Sequence, residues 1–248
     1  MLRNRKEERS LKENLMLASS TAFISGVTNV IGVVAFLATT ANVTGHVANL
    51  AKNIVENNYH EMVVLGIWVF MFLFGAFVSN FIVQVFREKS QYRAHTITMF
   101  IEIVVLLAVA FYGDVLYRET DLEREIVIGA ILFSIGLQNS LVSNISGGLI
   151  KSSHLTGLFT DLGSELAEWL FTAQCSRAVV TNKLYVRFAI LGFYILGGLA
   201  GGYFFNKFDL AIFYAIPVIL LTIIYYDLSI LGLHKFMRLF TSHNRYQK

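Results

Sequence analysis

Six unbroken apolar stretches, each long enough to cross about 30 Å of hydrocarbon as a helix, leave this chain few ways to fold. They fall at 17–40, 62–86, 97–116, 126–150, 188–205 and 211–231. A helix satisfies its own backbone in lipid, whereas the strands of a membrane barrel read as alternating segments of about ten residues. These stretches do not alternate, so the expected fold class is an all-α membrane protein with six transmembrane helices. Composition agrees: of 248 residues 55% are hydrophobic and 15% charged.

The placement of the basic residues sets the expected orientation. The N-terminal segment carries Arg3, Arg5, Lys6, Arg9 and Lys12, and further clusters are Arg87, Lys89, Arg93, then Lys151, Arg177, Lys183, Arg187, then Lys235, Arg238, Arg245, Lys248. The intervening loops hold only Lys52, Arg118, Arg124 and Lys207. This alternation over six spans is the positive-inside pattern, with both termini cytoplasmic. The first stretch runs longer than a signal-peptide core, and removing it would break the alternation, so it is read as a span. The scattered charges form no concentrated basic face for nucleic acid. A single cysteine, Cys175, excludes a disulfide framework within the chain.

The two halves resemble one another. Residues 43–51 align with 155–163 through Thr44-Gly45 and Thr156-Gly157. Upstream, Gly26-Val27-Thr28-Asn29 matches Gly136-Leu137-Gln138-Asn139; downstream, Leu73-Phe74-Gly75-Ala76 matches Ile195-Leu196-Gly197-Gly198. Each half holds three spans, an odd number, so the second copy enters the membrane from the opposite side as an inverted repeat. The expected organisation is a basic N-terminus at 1–16, three-helix repeats at 17–117 and 118–232, and a C-terminal tail at 233–248. On this reading Thr44-Gly45 lies on the outer side and Thr156-Gly157 on the cytoplasmic side. Each Thr is expected to cap a short amphipathic helix; in the second, Leu158, Leu162, Leu166 and Leu170 share one face, as a cytoplasmic gate or a helix packed on the membrane surface.

At these segments the chain resembles the YoaK-like family of bacterial inner-membrane proteins, a domain of unknown function. The second half fits through Gly136, Gln138, Asn139, Thr156, Gly157 and Leu162, while in the first half Asn29 stands where the family has Asp and His46 where it has Asn. The resemblance implies a bacterial inner-membrane location and six spans, but no reaction.

Polar residues inside the spans are the candidate functional groups, because lipid does not tolerate them on an outer face. Span four carries Gln138, Asn139, Ser140, Ser143, Asn144 and Ser146, and span one a thinner set in Ser25, Thr28 and Asn29. They read as a hydrogen-bonding pathway between the repeats, with interhelical adhesion at about 0.6 kcal/mol per contact as the alternative. Glu102 is the acidic residue deepest in a span, and an ionised carboxylate there costs at least about 2.5 to 3.5 kcal/mol. It is read as a proton-coupling site, or as a partner for a cytoplasmic Arg such as Arg93. Asp227 reads as interfacial. Gly75 and the run Gly197, Gly198, Gly201, Gly202 read as small-residue helix contacts.

No His-Glu-x-x-His, Gly-x-Ser-x-Gly or Cys-x-x-Cys pattern is present. Asn144-Ile145-Ser146-Gly147 is faintly similar to an intramembrane serine protease pattern, but no mid-span His serves as base. No enzyme activity, metal or cofactor is therefore expected. The expected function is a secondary transporter or facilitator of a small solute, proton-coupled through Glu102, with Asn29, Gln138, Asn139, Ser143 and Asn144 lining the pathway. Its partners are then the bilayer and the solute, with a homo-oligomer open. The alternative is a non-transporting membrane scaffold or regulatory subunit.

Overall fold

The structure, a computed structural model, describes residues 9–86, 90–174 and 177–243, with side chains through Ser229. Cys175 and the basic residues Arg3, Arg5, Lys6, Arg87, Lys89, Arg245 and Lys248 lie outside the described residues. The described chain is all-helical: α1 (Leu11–Phe36), α2 (Val43–Val55), α3 (Tyr59–Val85), α4 (Gln91–Phe111), α5 (Asp121–Ser146), α6 (Leu155–Phe171), α7 (Arg177–Phe208) and α8 (Ala215–His243). A π turn, Tyr112–Leu116, extends α4, and a 3-10 turn, Asp209–Tyr214, joins α7 to α8.

Five helical segments are long and apolar enough to cross a membrane: Leu11–Phe36, Tyr59–Val85, Gln91–Leu116, Asp121–Ser146 and the continuous Arg177–Ser229. Their outward faces are largely apolar, and a few polar groups lie among the apolar core. On α3, Phe70, Phe74, Phe77 and Phe81 face outward with their rings stacked in series at centroid distances of 6.0, 6.5 and 5.9 Å. The polar Ser25, Thr28, Ser134 and Gln138 are buried on the central helices α1 and α5.

Both central helices begin and end alike. Ser10 and Glu13 form a capping box at the start of α1, and Thr120 and Glu123 form one at the start of α5. Leu37 (φ 54°) and Gly147 (φ 61°) stop them in the left-handed conformation. The helices therefore end before the expected Thr40 and Ile150, because the following residues turn back along them. Arg177 to Arg187 extend α7 ahead of its expected start, since Arg187 is buried and paired instead of marking an interface.

The two most extensive helix contacts are α1 with α7 and α3 with α5, so each joins one half of the chain to the other. Glycine permits both. A Cβ on Gly26 would lie 2.1 Å from the carbonyl oxygen of Tyr194, and one on Gly136 would lie 2.2 Å from that of Phe72. Gly75 meets the carbonyl of Phe133, and Gly197 that of Phe23, each at 2.1 Å. The residues aligned in the sequence thus make corresponding contacts in the fold. Gly201 is less tight, 2.9 Å from Val27 backbone atoms, and Gly198 and Gly202 meet the side chain of Val30.

Candidate functional site

After Leu37 the chain folds back on α1. Thr40 donates a hydrogen bond from Oγ1 to the Thr28 carbonyl at 3.2 Å, and the Ala41 N–H donates to Oδ1 of Asn29 at 2.9 Å. The chain beyond α5 repeats the move. There the Ser153 N–H donates to Oδ1 of Asn139 at 3.3 Å, Ser152 Oγ donates to the same oxygen at 3.0 Å, and Asn139 Nδ2 donates to Ser153 Oγ. Each Asn side chain pins a returning loop one to two turns inside its helix, which starts α2 and α6 well below the helix ends. Each pinned backbone N–H would otherwise be an orphan donor away from water.

The consequence departs from the expected arrangement. Thr44 and Thr156, expected on separate sides, line one cavity of about 420 Å³. Its walls come in aligned pairs: Asn29 with Asn139, Ala41 with Ser153, Asn42 with His154, Val43 with Leu155, Thr44 with Thr156 and Phe72 with Tyr194. Tyr194 also hydrogen-bonds Asn29. No carboxylate, ammonium or guanidinium is among these lining residues, so the cavity suits a small hydrogen-bonding guest. A second cavity of about 630 Å³ adjoins it, sharing Thr39 and Asn42, and runs past His46, Asn49, Asn53 and Leu65 to Lys52, Glu61 and Arg124.

The caps also differ from expectation. Asn42, not Thr44, caps α2, its side chain accepting from the Gly45 N–H at 3.1 Å; His154 precedes α6 without a side-chain cap bond. The glycines of the two Thr-Gly pairs make room for these residues, because a Cβ on Gly45 would lie 2.9 Å from Asn42 Nδ2 and one on Gly157 2.3 Å from His154 Cδ2. On α6 the buried residues are Leu158, Leu162 and Glu165, while Leu166 and Leu170 are exposed. On α2, His46 is buried with its ring edge-on to Trp68 at 5.3 Å and its Nε2 2.6 Å from the Thr39 carbonyl, which makes Nε2 the protonated nitrogen. Burial pushes the His46 imidazole below its ordinary range, and the bond to Thr39 partly offsets this.

The remaining expected site residues separate into two groups. Gln138 lies in a buried chain: Ser25 Oγ donates to its Oε1 at 2.9 Å, and its Nε2 donates to Oε1 of Glu102 at 3.0 Å. Glu102 is 1% exposed, and its Oε2 has no hydrogen-bond partner; the Ser134 hydroxyl, one turn before Gln138, has none either. Its partner is thus Gln138 and not the exposed Arg93. Asn144 and Ser143 lie off the cavity. Asn144 donates to Oδ1 of Asn80 at 2.9 Å, and Asn80 donates to Ser140 Oγ at 2.7 Å, a polar ladder between α3 and α5. Ser146 is engaged by backbone, donating to the Val142 carbonyl and accepting from the Ile150 N–H. Asp227, expected at an interface, is buried and feels the charge of Arg9. Among the described residues no group of three or more His, Cys, Asp or Glu is arranged to hold a metal.

The family model described as "Protein of unknown function (DUF1275)" matches residues 17–226, from the first buried turn of α1 into α8. The chain belongs to that family. The DUF1275 match spans both aligned halves and both cavities. No curated protein and no solved structure matches the chain.

Sequence reasoning singled out Asn29, Asn139, Thr44 and Thr156 but missed Asn42, Ser153, Phe72 and Tyr194. The signal was available: the alignment of 43–51 with 155–163 extends backwards through Asn42 and His154 to Ala41 and Ser153.

Proposed function

We propose that this DUF1275 member is a secondary transporter or facilitator of a small polar solute, built from two inverted three-helix repeats of six spans. The observation that carries this reading is the 420 Å³ cavity lined by aligned residues of both halves. Binding at an interface between repeats, where helices are interrupted, is the arrangement through which such repeats expose one site to either side. Six spans rather than five follow if Arg177–Ser229 crosses twice. As one rod of 53 residues it would be about 80 Å long, far beyond the hydrocarbon thickness. Asp209, with φ 52°, and the 3-10 turn after it divide the segment into two lengths that each suffice. The bacterial inner membrane and cytoplasmic termini come with this reading, from the YoaK-like resemblance and the basic loops.

Glu102 is the proposed coupling group. Its half-partnered carboxyl, joined through Gln138 to Ser25, links α4, α5 and α1, so a proton gained or lost there acts on helices of both halves. No enzymatic chemistry is part of this reading.

Proteoliposomes challenged with a panel of small polar solutes, with and without a pH gradient, test it. At least one solute should enter faster than into empty vesicles, and Thr156→Phe, which fills the cavity from an exposed wall position, should remove that difference while the protein stays folded. Unchanged entry with Thr156→Phe would exclude this cavity as the route, and full gradient-driven entry with Glu102→Gln would exclude Glu102 from coupling. The Asn80, Ser140 and Asn144 ladder favours a second reading, a scaffold whose polar residues hold helices together. On that reading Asn144→Ala lowers stability and no solute of the panel is accelerated.

A further inference from the structure

We propose that Arg187, Glu165 and Asp161 form a closed ionic gate on the α6 side of the central cavity, while the corresponding shell on the α2 side stands open. The inference rests on the transport reading above and adds to it the state of each entrance.

The two halves differ at matched positions. Along the alignment of the halves, His46, Asn49 and Asn53 of α2 correspond to Leu158, Asp161 and Glu165 of α6, and Leu65 of α3 corresponds to Arg187 of α7. On the α2 side these four residues line the 630 Å³ cavity that adjoins the central one. On the α6 side three of the four matched positions are instead joined in one ion-pair cluster. Leu158 and its counterpart His46 are both buried, so the difference between the sides lies in the charges. Arg187 Nη2 lies 3.0 Å from Asp161 Oδ2 and 3.2 Å from Glu165 Oε1, its Nε lies 3.3 Å from Glu165 Oε2, and its Nη1 donates to the Leu149 carbonyl at 2.7 Å. One guanidinium therefore ties α6, α7 and the turn beyond α5 into a single closure. The Arg187 and Glu165 side chains are 8% and 10% exposed, and the Asp161 side chain, at 42%, faces out from the rim.

A buried ion pair is a poor source of net stability, because desolvation offsets the attraction. That property suits a closure that must open. The α2 side has no such cluster at the matched positions; Leu65 stands there in place of the arginine, and His46 docks α2 through the Trp68 ring.

The test is sided labelling of the full chain in liposomes, in a Cys175→Ser background, with Thr156→Cys reporting the central cavity to a membrane-impermeant maleimide. Lys52→Cys and Lys183→Cys mark the α2 and α6 sides. With the gate intact, Thr156→Cys should react from the α2 side only. Glu165→Gln should raise its rate from the α6 side at least tenfold, and Arg187→Glu combined with Glu165→Arg should lower it again. Should Glu165→Gln not fold, Asp161→Asn on the exposed rim is used in its place, with the same expected direction. A rate from the α6 side that stays at the background of the parent in these neutralised variants overturns the gate while leaving the cavity in place. A Thr156→Cys unreactive from both sides in every variant overturns the cavity reading and the gate with it.

Discussion

Leu37 holds a left-handed backbone where the matched residue of the second half is Gly147. For a residue with a Cβ that conformation costs about 1–2 kcal/mol, and glycine gives part of it back through its larger unfolded-state entropy. The Leu37 side chain is 91% exposed, so little burial compensates. Leu37→Gly is expected to stabilise the protein by up to about 1 kcal/mol and Gly147→Leu to destabilise it by a similar amount, both read from thermal unfolding in detergent. His46 gives a pH prediction. Its folded imidazole is pushed below the ordinary range, so the unfolded chain takes up a proton first as pH falls. The stability it contributes is complete above the ordinary imidazole range and is lost as pH drops through the lower folded value. Protection factors of residues 43–55, taken against the intrinsic exchange rate at each pH, should therefore fall at pH 5 relative to pH 8, and His46→Phe, which cannot be protonated, should flatten that dependence. Single residues also bear on the departure from the YoaK-like resemblance. Asn29 stands where the resemblance leads one to expect Asp, but its role in the fold is to accept a hydrogen bond through Oδ1, which either side chain can do.

The helices were legible because apolar length is legible, and their ends were not because the turn-backs lack a common signature. Gly147-Gly148 announces the end of α5, whereas Leu37 ends α1 with nothing in its chemistry to say so. Both starts were readable in Ser10-x-x-Glu13 and Thr120-x-x-Glu123. Arg187 hid the first turns of α7, since hydropathy counts a buried, paired guanidinium as a reason to stop. Gly75 and Gly197 were legible as contacts and Gly26 and Gly136 only as a repeated motif, and the backbone distances sort them. Gly26→Ala, Gly136→Ala, Gly75→Ala and Gly197→Ala each thrust a methyl at a partner helix's carbonyl and should cost at least about 1–3 kcal/mol through helix separation. Gly192, where an added Cβ meets nothing, should accept Ala with no loss. Detergent stability by size-exclusion after heating ranks the series; a Gly192→Ala as damaging as Gly26→Ala would refute the ranking.

At the scale of the molecule the cavity was partly legible: the repeat named two of its paired walls, Asn29 with Asn139 and Thr44 with Thr156, but nothing in the residues revealed that both loops fold inward to meet. The meeting depends on α1 lying on α7 and α3 on α5, contacts that cross from one half to the other. A chain of residues 1–117 alone should therefore aggregate or be degraded, and co-expression with 118–248 should rescue it, judged by recovery of a monodisperse complex. Should 1–117 purify as a stable, folded species by itself, the dependence is not there. The same crossing has a consequence for biogenesis. While the second half is still being made, α1 and α3 lack the partners that cover their glycine-lined surfaces and hydroxyls, so the first half should persist longest where something else can cover them until the second half arrives.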